Sequence, residues 1–142
     1  MNLKQLIQAA KSVLVAKGWA QHWFVYDDKG QKCSIISDEA ASFCGRGALD
    51  RIFYTPTDRG IYSWDLHEAA SALLSEIAKE FGSTPAHLDP YTFWQDKNGR
   101  TKEEVLELFD RAIDRAHEFE KTFVPQHKKR QESLAIPASQ SG

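Results

Sequence analysis

Phe93-Trp94-Gln95-Asp96-Lys97-Asn98-Gly99-Arg100-Thr101-Lys102-Glu103-Glu104-Val105 joins an aromatic anchor, a turn and a helix start within thirteen residues. Asn98-Gly99 supplies the left-handed backbone that a tight turn needs. Thr101 and Glu104 have the spacing of a capping box, in which the hydroxyl accepts from the backbone N–H three residues on and the carboxylate accepts back. The stretch therefore sets where the last long helix begins and where Trp94 and Asp96 point. That helix is predicted over 102–123, with Val105, Phe109, Ala112, Ile113 and Ala116 inward and Pro125 as its stop.

Working outward, Leu66, Ala69, Ala70, Leu73, Leu74, Ile77, Ala78 and Phe81 give the cleanest helical period in the chain. Asp65 with Glu68 reads as a second capping box, and Gly82 ends the helix. Residues 83–99 are read as a long connection, and 54–64, with Pro56 and Gly60, as a loop. At the other end, Leu3, Leu6, Ile7, Ala10, Val13 and Leu14 predict a helix over 2–17, stopped by Gly18. A strand over 19–26, the turn Asp27-Asp28-Lys29-Gly30 and a strand over 31–36 then read as a hairpin. A lone hairpin is marginal in water and must lean on helices. Ser37-Asp38-Glu39 is read as the start of a helix whose stripe is Ala40, Phe43, Cys44, Gly47, Ala48 and Ile52. The predicted fold is α+β and mostly α: about four helices around one core, with a small β-hairpin.

The 142 residues fit one domain, and 42% hydrophobic against 27% charged composition excludes wholesale disorder. The net charge of −2 hides an asymmetry. In residues 125–142, Lys128, Lys129 and Arg130 oppose only Glu132, a net of +2, so residues 1–124 carry −4. We expect a globular domain over 1–124 and a flexible, weakly basic tail over 125–142, dispensable for folding. The longest apolar run near the N-terminus, Val13-Leu14-Val15-Ala16, is too short for a signal-peptide core or a membrane span. Cys33 and Cys44 show no disulfide framework, and the expected location is the cytoplasm.

Cys44-Gly45-Arg46-Gly47-Ala48-Leu49, Gly18-Trp19, Trp94-Gln95-Asp96 and Arg100-Thr101-Lys102-Glu103-Glu104-Val105 together resemble a family of small uncharacterised bacterial and phage proteins. That family combines a Cys-x-x-Gly-Ala-Leu helix with a Trp-Asn-Asp loop before a Thr-x-Glu-Glu-Val helix. The resemblance takes in about residues 5–116, and Gln95 stands where the family pattern has asparagine. It implies an architecture and carries no known activity; it also adds a phage link.

Candidate chemistry is sparse. His22, His67, His87, His117 and His127 show neither zinc spacing nor a pairing with Cys-x-x-Cys, so no metal and no cofactor are expected. Gly45-Arg46-Gly47 lies in a helical pattern rather than between a strand and a helix, which argues against a phosphate loop. Cys44 near a helix start invites a nucleophile reading with His22 or His67 as base, but it falls on an apolar stripe where cysteine behaves as a small hydrophobe. Asp96 reads as a turn acceptor or as a carboxylate that grips a ligand beside Trp94 and Arg100. The four tryptophans, Trp19 among them, fall outside the helical stripes. Elimination leaves a non-enzymatic interaction protein that engages a protein or small ligand through Trp23, Trp64, Trp94, Asp96 and Arg100. The alternative is a cysteine-dependent hydrolase or transferase using Cys44 with a histidine. The third reading is weak nucleic-acid binding through His127-Lys128-Lys129-Arg130.

Overall fold

The computed structural model describes residues 1–55, 63–126 and 128. Among them the order is α1 (Leu3–Ala16), β1 (Val25–Asp27), β2 (Ala40–Phe43), α2 (Gly45–Tyr54), α3 (Trp64–Lys79), α4 (Pro90–Gln95) and α5 (Lys102–Thr122). The architecture is α+β and mostly helical, as the periodicity predicts. α1 packs against α2 and α5, while α3 packs against α4 and α5.

α1 begins where Asn2 accepts from Gln5 N–H and the Gln5 side chain accepts back from Asn2 N–H. Leu3, Leu6, Ile7, Ala10 and Leu14 recur every three or four residues and are all buried. Each Leu or Ile so placed contributes roughly 1.5–3 kcal/mol of transfer free energy. α5 starts as its motif requires: Thr101 Oγ1 accepts from Glu104 N–H at 3.2 Å, and Glu104 Oε1 accepts from Thr101 N–H at 3.0 Å. Gly99, at φ +85°, makes the preceding turn.

Other boundaries differ from the sequence reading. Ser63, one residue before α3, caps that helix through Leu66 N–H at 3.2 Å, which places Asp65 in the first turn. Glu68 accepts from Gln126 N–H instead of completing a box. The supposed connection over 83–99 contains α4, with Asp89 as cap and Pro90 in its first turn. Most of the 54–64 loop, residues 56–62, lies outside the described residues.

The hairpin is rearranged. The turn exists, with Asp27 Oδ1 accepting from Lys29 and Gln31 N–H at 2.9 Å each and Gly30 at φ +78°. Beyond it the expected second strand makes only the single bridge between Tyr26 and Lys32. β1 pairs instead with β2, antiparallel, with Val25 opposite Phe43, Tyr26 opposite Ser42 and Asp27 opposite Ala40 across a register shift. Residues 40–43 were expected to be helical. Ser37 Oγ accepts from Glu39 N–H only two residues on, a local turn rather than a helix cap. Phe43 then spends both backbone groups on the segment after α1: its N–H donates to Gly18 O at 2.8 Å, and its C=O accepts from Ala20 N–H at 2.9 Å. Those bonds leave nothing for a helical ladder, so the helix starts two residues later.

Two glycines permit that start. A Cβ on Gly45 would collide with the Tyr91 hydroxyl, and one on Gly47 with the Phe24 carbonyl. Urea unfolding should show Gly47→Ala destabilised by about 1–3 kcal/mol, the usual cost of forcing an atom into a packed interior. Thr101→Ala should lose about 0.5–2 kcal/mol through its cap. A Gly47→Ala midpoint equal to wild type would contradict the close approach.

Candidate functional site

The segment after α1 is fastened to the end of α4. Gln21 Nε2 donates to the carbonyls of Gln95 (2.9 Å) and Lys97 (3.0 Å), and Tyr26 Oη donates to Gln21 O at 3.0 Å. His22 then adopts φ +75°, and its N–H donates to Asp96 Oδ1 at 3.0 Å. The turn at His22 sends Trp23 and Phe24 outward, 39% and 43% exposed, with their rings edge-to-face at 5.6 Å. Lys32 Nζ sits 4.1 Å over the Trp23 ring. These rings form the mouth of a cleft that also involves His22, Cys44, Arg46, Thr92, Gln95 and Asp96.

The floor of the cleft is polar and closely bonded. Gln95 is 2% exposed; its Oε1 accepts from Gly45 N–H (2.6 Å) and Tyr91 Oη (3.0 Å), and its Nε2 donates to Asp96 Oδ1 (3.0 Å). Burial raises the Tyr91 phenol well above its ordinary range, which keeps it a neutral donor. Arg46 makes a forked pair with Asp89, Nε to Oδ2 at 3.0 Å and Nη2 to Oδ1 at 2.6 Å, and also reaches Ser75 Oγ at 2.9 Å. For Asp89, burial raises the pKa. The hydrogen bond and charge of Arg46, with the bonds from Thr92, outweigh it and hold the carboxyl below its ordinary value. Asp96 Oδ2 lies 3.9 Å from His22 Nδ1, beyond hydrogen-bond reach, and accepts no hydrogen bond among the described residues.

Cys44 caps α2, its Sγ accepting from Gly47 N–H at 3.2 Å. The residue is 7% exposed, and burial pushes its thiol up to about 11 against the lowering effect of the Gly47 and Arg46 N–H groups. The thiolate is then only about one part in ten thousand at pH 7. In this state the sulfur acts as a cap.

The structure brings together some of the sequence-predicted residues and separates others. Trp23 and Asp96 meet at the cleft, and His22 and Cys44 share it without a hydrogen bond between imidazole and thiol among the described residues. His67 lies elsewhere, its Nε2 2.6 Å from Asp50 Oδ1, beside Phe53 and Trp64. Trp64 is 64% exposed at the start of α3, with its ring 4.4 Å from Phe53. Trp94 is buried against Tyr91 and Phe81. Arg100 lies 4.1 Å over the Trp94 ring and bonds both Trp94 O (2.9 Å) and Glu104 (2.8 Å). Trp19 packs at the edge of the core beside Phe43. The tryptophans therefore do not share one groove. Residues 127 and 129–142 lie outside the described residues; Lys128 Nζ is 3.7 Å from Asp65 Oδ2. Among the described residues no cluster of three or more His, Cys, Asp or Glu side chains is placed to hold a metal ion.

Sequence reasoning missed Arg46, Thr92, Gln95 and Phe24. Arg46 and Gln95 find partners 43 and 50 residues away, a distance at which no local spacing rule operates.

A model described as a family of unknown function (DUF6197) matches residues 1–115. The chain belongs to this family. The match spans every residue of the cleft and extends into α5. No curated protein and no solved structure matches the chain. Family membership agrees with the resemblance to an uncharacterised group and assigns no reaction. No described helix is long and apolar enough to cross a membrane.

The lowered Asp89 pKa has a testable sign. Its contribution is present above the ordinary aspartate value of 3.8 and is lost as pH falls through the lower folded value. Asp89→Asn should reduce stability at pH 7 and flatten the part of the stability profile below pH 3.8, measured by chemical denaturation across pH. An unchanged profile would mean that the Arg46 pair contributes nothing.

Proposed function

We propose that this chain is a small, non-catalytic interaction domain that binds a hydrogen-bond-donating, preferably cationic group in the cleft between His22 and α4. The occupant is a basic side chain of a protein partner or an amine-bearing small ligand. The observation that carries this reading is the coincidence at one cleft of two exposed aromatic rings, Trp23 and Phe24, with Asp96 Oδ2, which accepts no hydrogen bond among the described residues. Ring faces and a carboxylate attract the same kind of group, and Lys32 already places an ammonium on Trp23. The cavity measures about 90 Å³, far below the roughly 300–1,000 Å³ of sites for drug-sized ligands, and suits the end of one side chain. The net −4 of residues 1–124 favours approach by a basic partner. A cytoplasmic, phage-linked setting is part of the proposal and rests on the sequence reading and the resemblance. So does the division into a domain over 1–124 and a tail, with binding through the tail as the weaker nucleic-acid alternative.

Amide chemical shifts recorded while titrating arginine- and lysine-containing dipeptides test the reading. Shifts should cluster on 22–24 and 92–96, and Trp23→Ala or Asp96→Asn should weaken binding at least about five-fold with folding retained. Shifts confined to other surfaces, or none at this cleft, would overturn it.

A second reading, cysteine chemistry, is favoured by the presence of Cys44, His22 and Asp96 along the same cleft. Iodoacetamide labelling separates the two. A capping thiol raised to about 11 should alkylate slowly in native buffer and quickly in denaturant, with Cys33→Ser used to isolate the Cys44 peptide by mass. Fast native labelling that slows in His22→Ala would establish a reactive thiol in place of a cap.

A further inference from the structure

α4 has a second side. Phe93 and Trp94 face a separate cleft against Phe81 and the turn at 82–84, with Lys97 and Arg100 at its rim. Phe81, Phe93 and the neighbouring Leu88 are exposed, a concentration of apolar surface rimmed by charge. The cavity, about 90 Å³, admits one apolar side chain of a larger partner.

The charges around it do not balance. Arg100 is paired with Glu104 at 2.8 Å, Arg111 with Glu107 at 3.2 Å, and Arg115 with Glu80 at 2.6 Å. Lys97, on the rim, and Lys79, beside the 82–84 turn, have no ion-pair partner among the described residues. Lys97 and Arg100 line the apolar cleft and no carboxylate among the described residues lines it, while Lys79 lines an adjoining depression beyond the 82–84 turn. Two of the rings already carry a cation on one face: the Arg100 guanidinium lies 4.1 Å over Trp94, and that of Arg111 lies 4.8 Å over Phe81. Single-stranded nucleic acid binds such surfaces by stacking bases on open rings, and here a guanidinium already lies over two of the three rings.

We infer that this cleft docks an acidic peptide segment, which inserts one apolar side chain between Phe81 and Phe93 and sets a flanking carboxylate against Lys97 at the rim. The apolar insertion supplies the affinity. Lys97 selects the charge of the flank and makes binding salt-dependent.

The test is selection from a displayed library of random peptides, about twelve residues long, on the full chain. Phe93→Ala and Lys97→Glu serve as comparison variants. Both positions are exposed, and unchanged thermal midpoints would verify their folding. Selected peptides should carry Asp or Glu beside a Leu, Ile or Phe. They should lose at least about ten-fold in affinity to Lys97→Glu and about five-fold to Phe93→Ala, and weaken as salt is raised. Trp23→Ala, at the other cleft, should leave this binding unchanged, so this inference and the proposed function fail independently. If either comparison variant lowers the midpoint, Lys97→Gln replaces it with the same expected direction. Absence of enrichment, enrichment of peptides without acidic residues, or equal binding to the variants would overturn the inference. Competition by an oligothymidylate probe that Lys97→Glu abolishes would overturn it in favour of nucleic acid.

Discussion

The buried amide of Gln95 holds three parts of the molecule in one arrangement. Its oxygen takes the first N–H of α2 and the Tyr91 hydroxyl, and its nitrogen reaches Asp96, whose carboxylate in turn fixes the backbone of His22. Gln95 is 2% exposed, and the Gly45 N–H and Tyr91 hydroxyl would otherwise stand in a dry interior, where an unsatisfied polar group costs about 1–3 kcal/mol. The pieces joined come from residues far apart in the chain, so the amide does the work that a disulfide does in other small domains. Gly45 and Gly47 are the steric counterpart: the helix end can reach Gln95 and Phe24 because no Cβ intervenes.

From this constraint the rest of the surface follows. With the end of α4 fastened to the 21–22 segment, α4 separates two clefts. On one side Asp96 lines a cleft with Trp23 and Phe24; on the other Lys97, without an ion-pair partner among the described residues, lines a cleft with Phe93. Adjacent residues thus serve different surfaces. The forked pair of Arg46 with Asp89 anchors the start of the same short helix, so both ends of α4 are tied to α2. Cys44 belongs to this frame: its sulfur satisfies a helix N–H, and its burial suppresses the thiolate that nucleophilic chemistry would require.

Most patterns that depend on neighbours three or four residues away could be read from the sequence, the Asp65–Glu68 box and the short α4 excepted. α1 and α5, the Thr101–Glu104 box and the Asp27 turn all satisfy their polar groups locally, and the structure reproduces them within a residue or two. The reading failed where a backbone group found its partner at long range. Ala40, Phe43, Cys44, Gly47 and Ala48 have helical spacing, yet residues 40–43 form a strand because Gly18 and Ala20 claim the backbone of Phe43. Within the cleft, Trp23 and Asp96 were legible as exposed or polar residues outside the stripes. Arg46 and Gln95 were not, since neither residue type nor spacing indicates a partner some 43 or 50 positions away.

Sequence alone therefore determined the helical class, the faces that enter the core, the capping of the last helix and the acidic balance of the chain. These follow from local periodicity, local hydrogen bonding and composition. Only the tertiary structure decided that β1 pairs with β2, that Cys44 is a cap rather than a helix-interior residue, that His22 and His67 belong to different neighbourhoods, and that the tryptophans occupy separate surfaces. Each of those outcomes depends on a contact between segments distant in the chain, where burial and the cost of leaving buried polar groups unpaired select one arrangement among many that the local pattern allows.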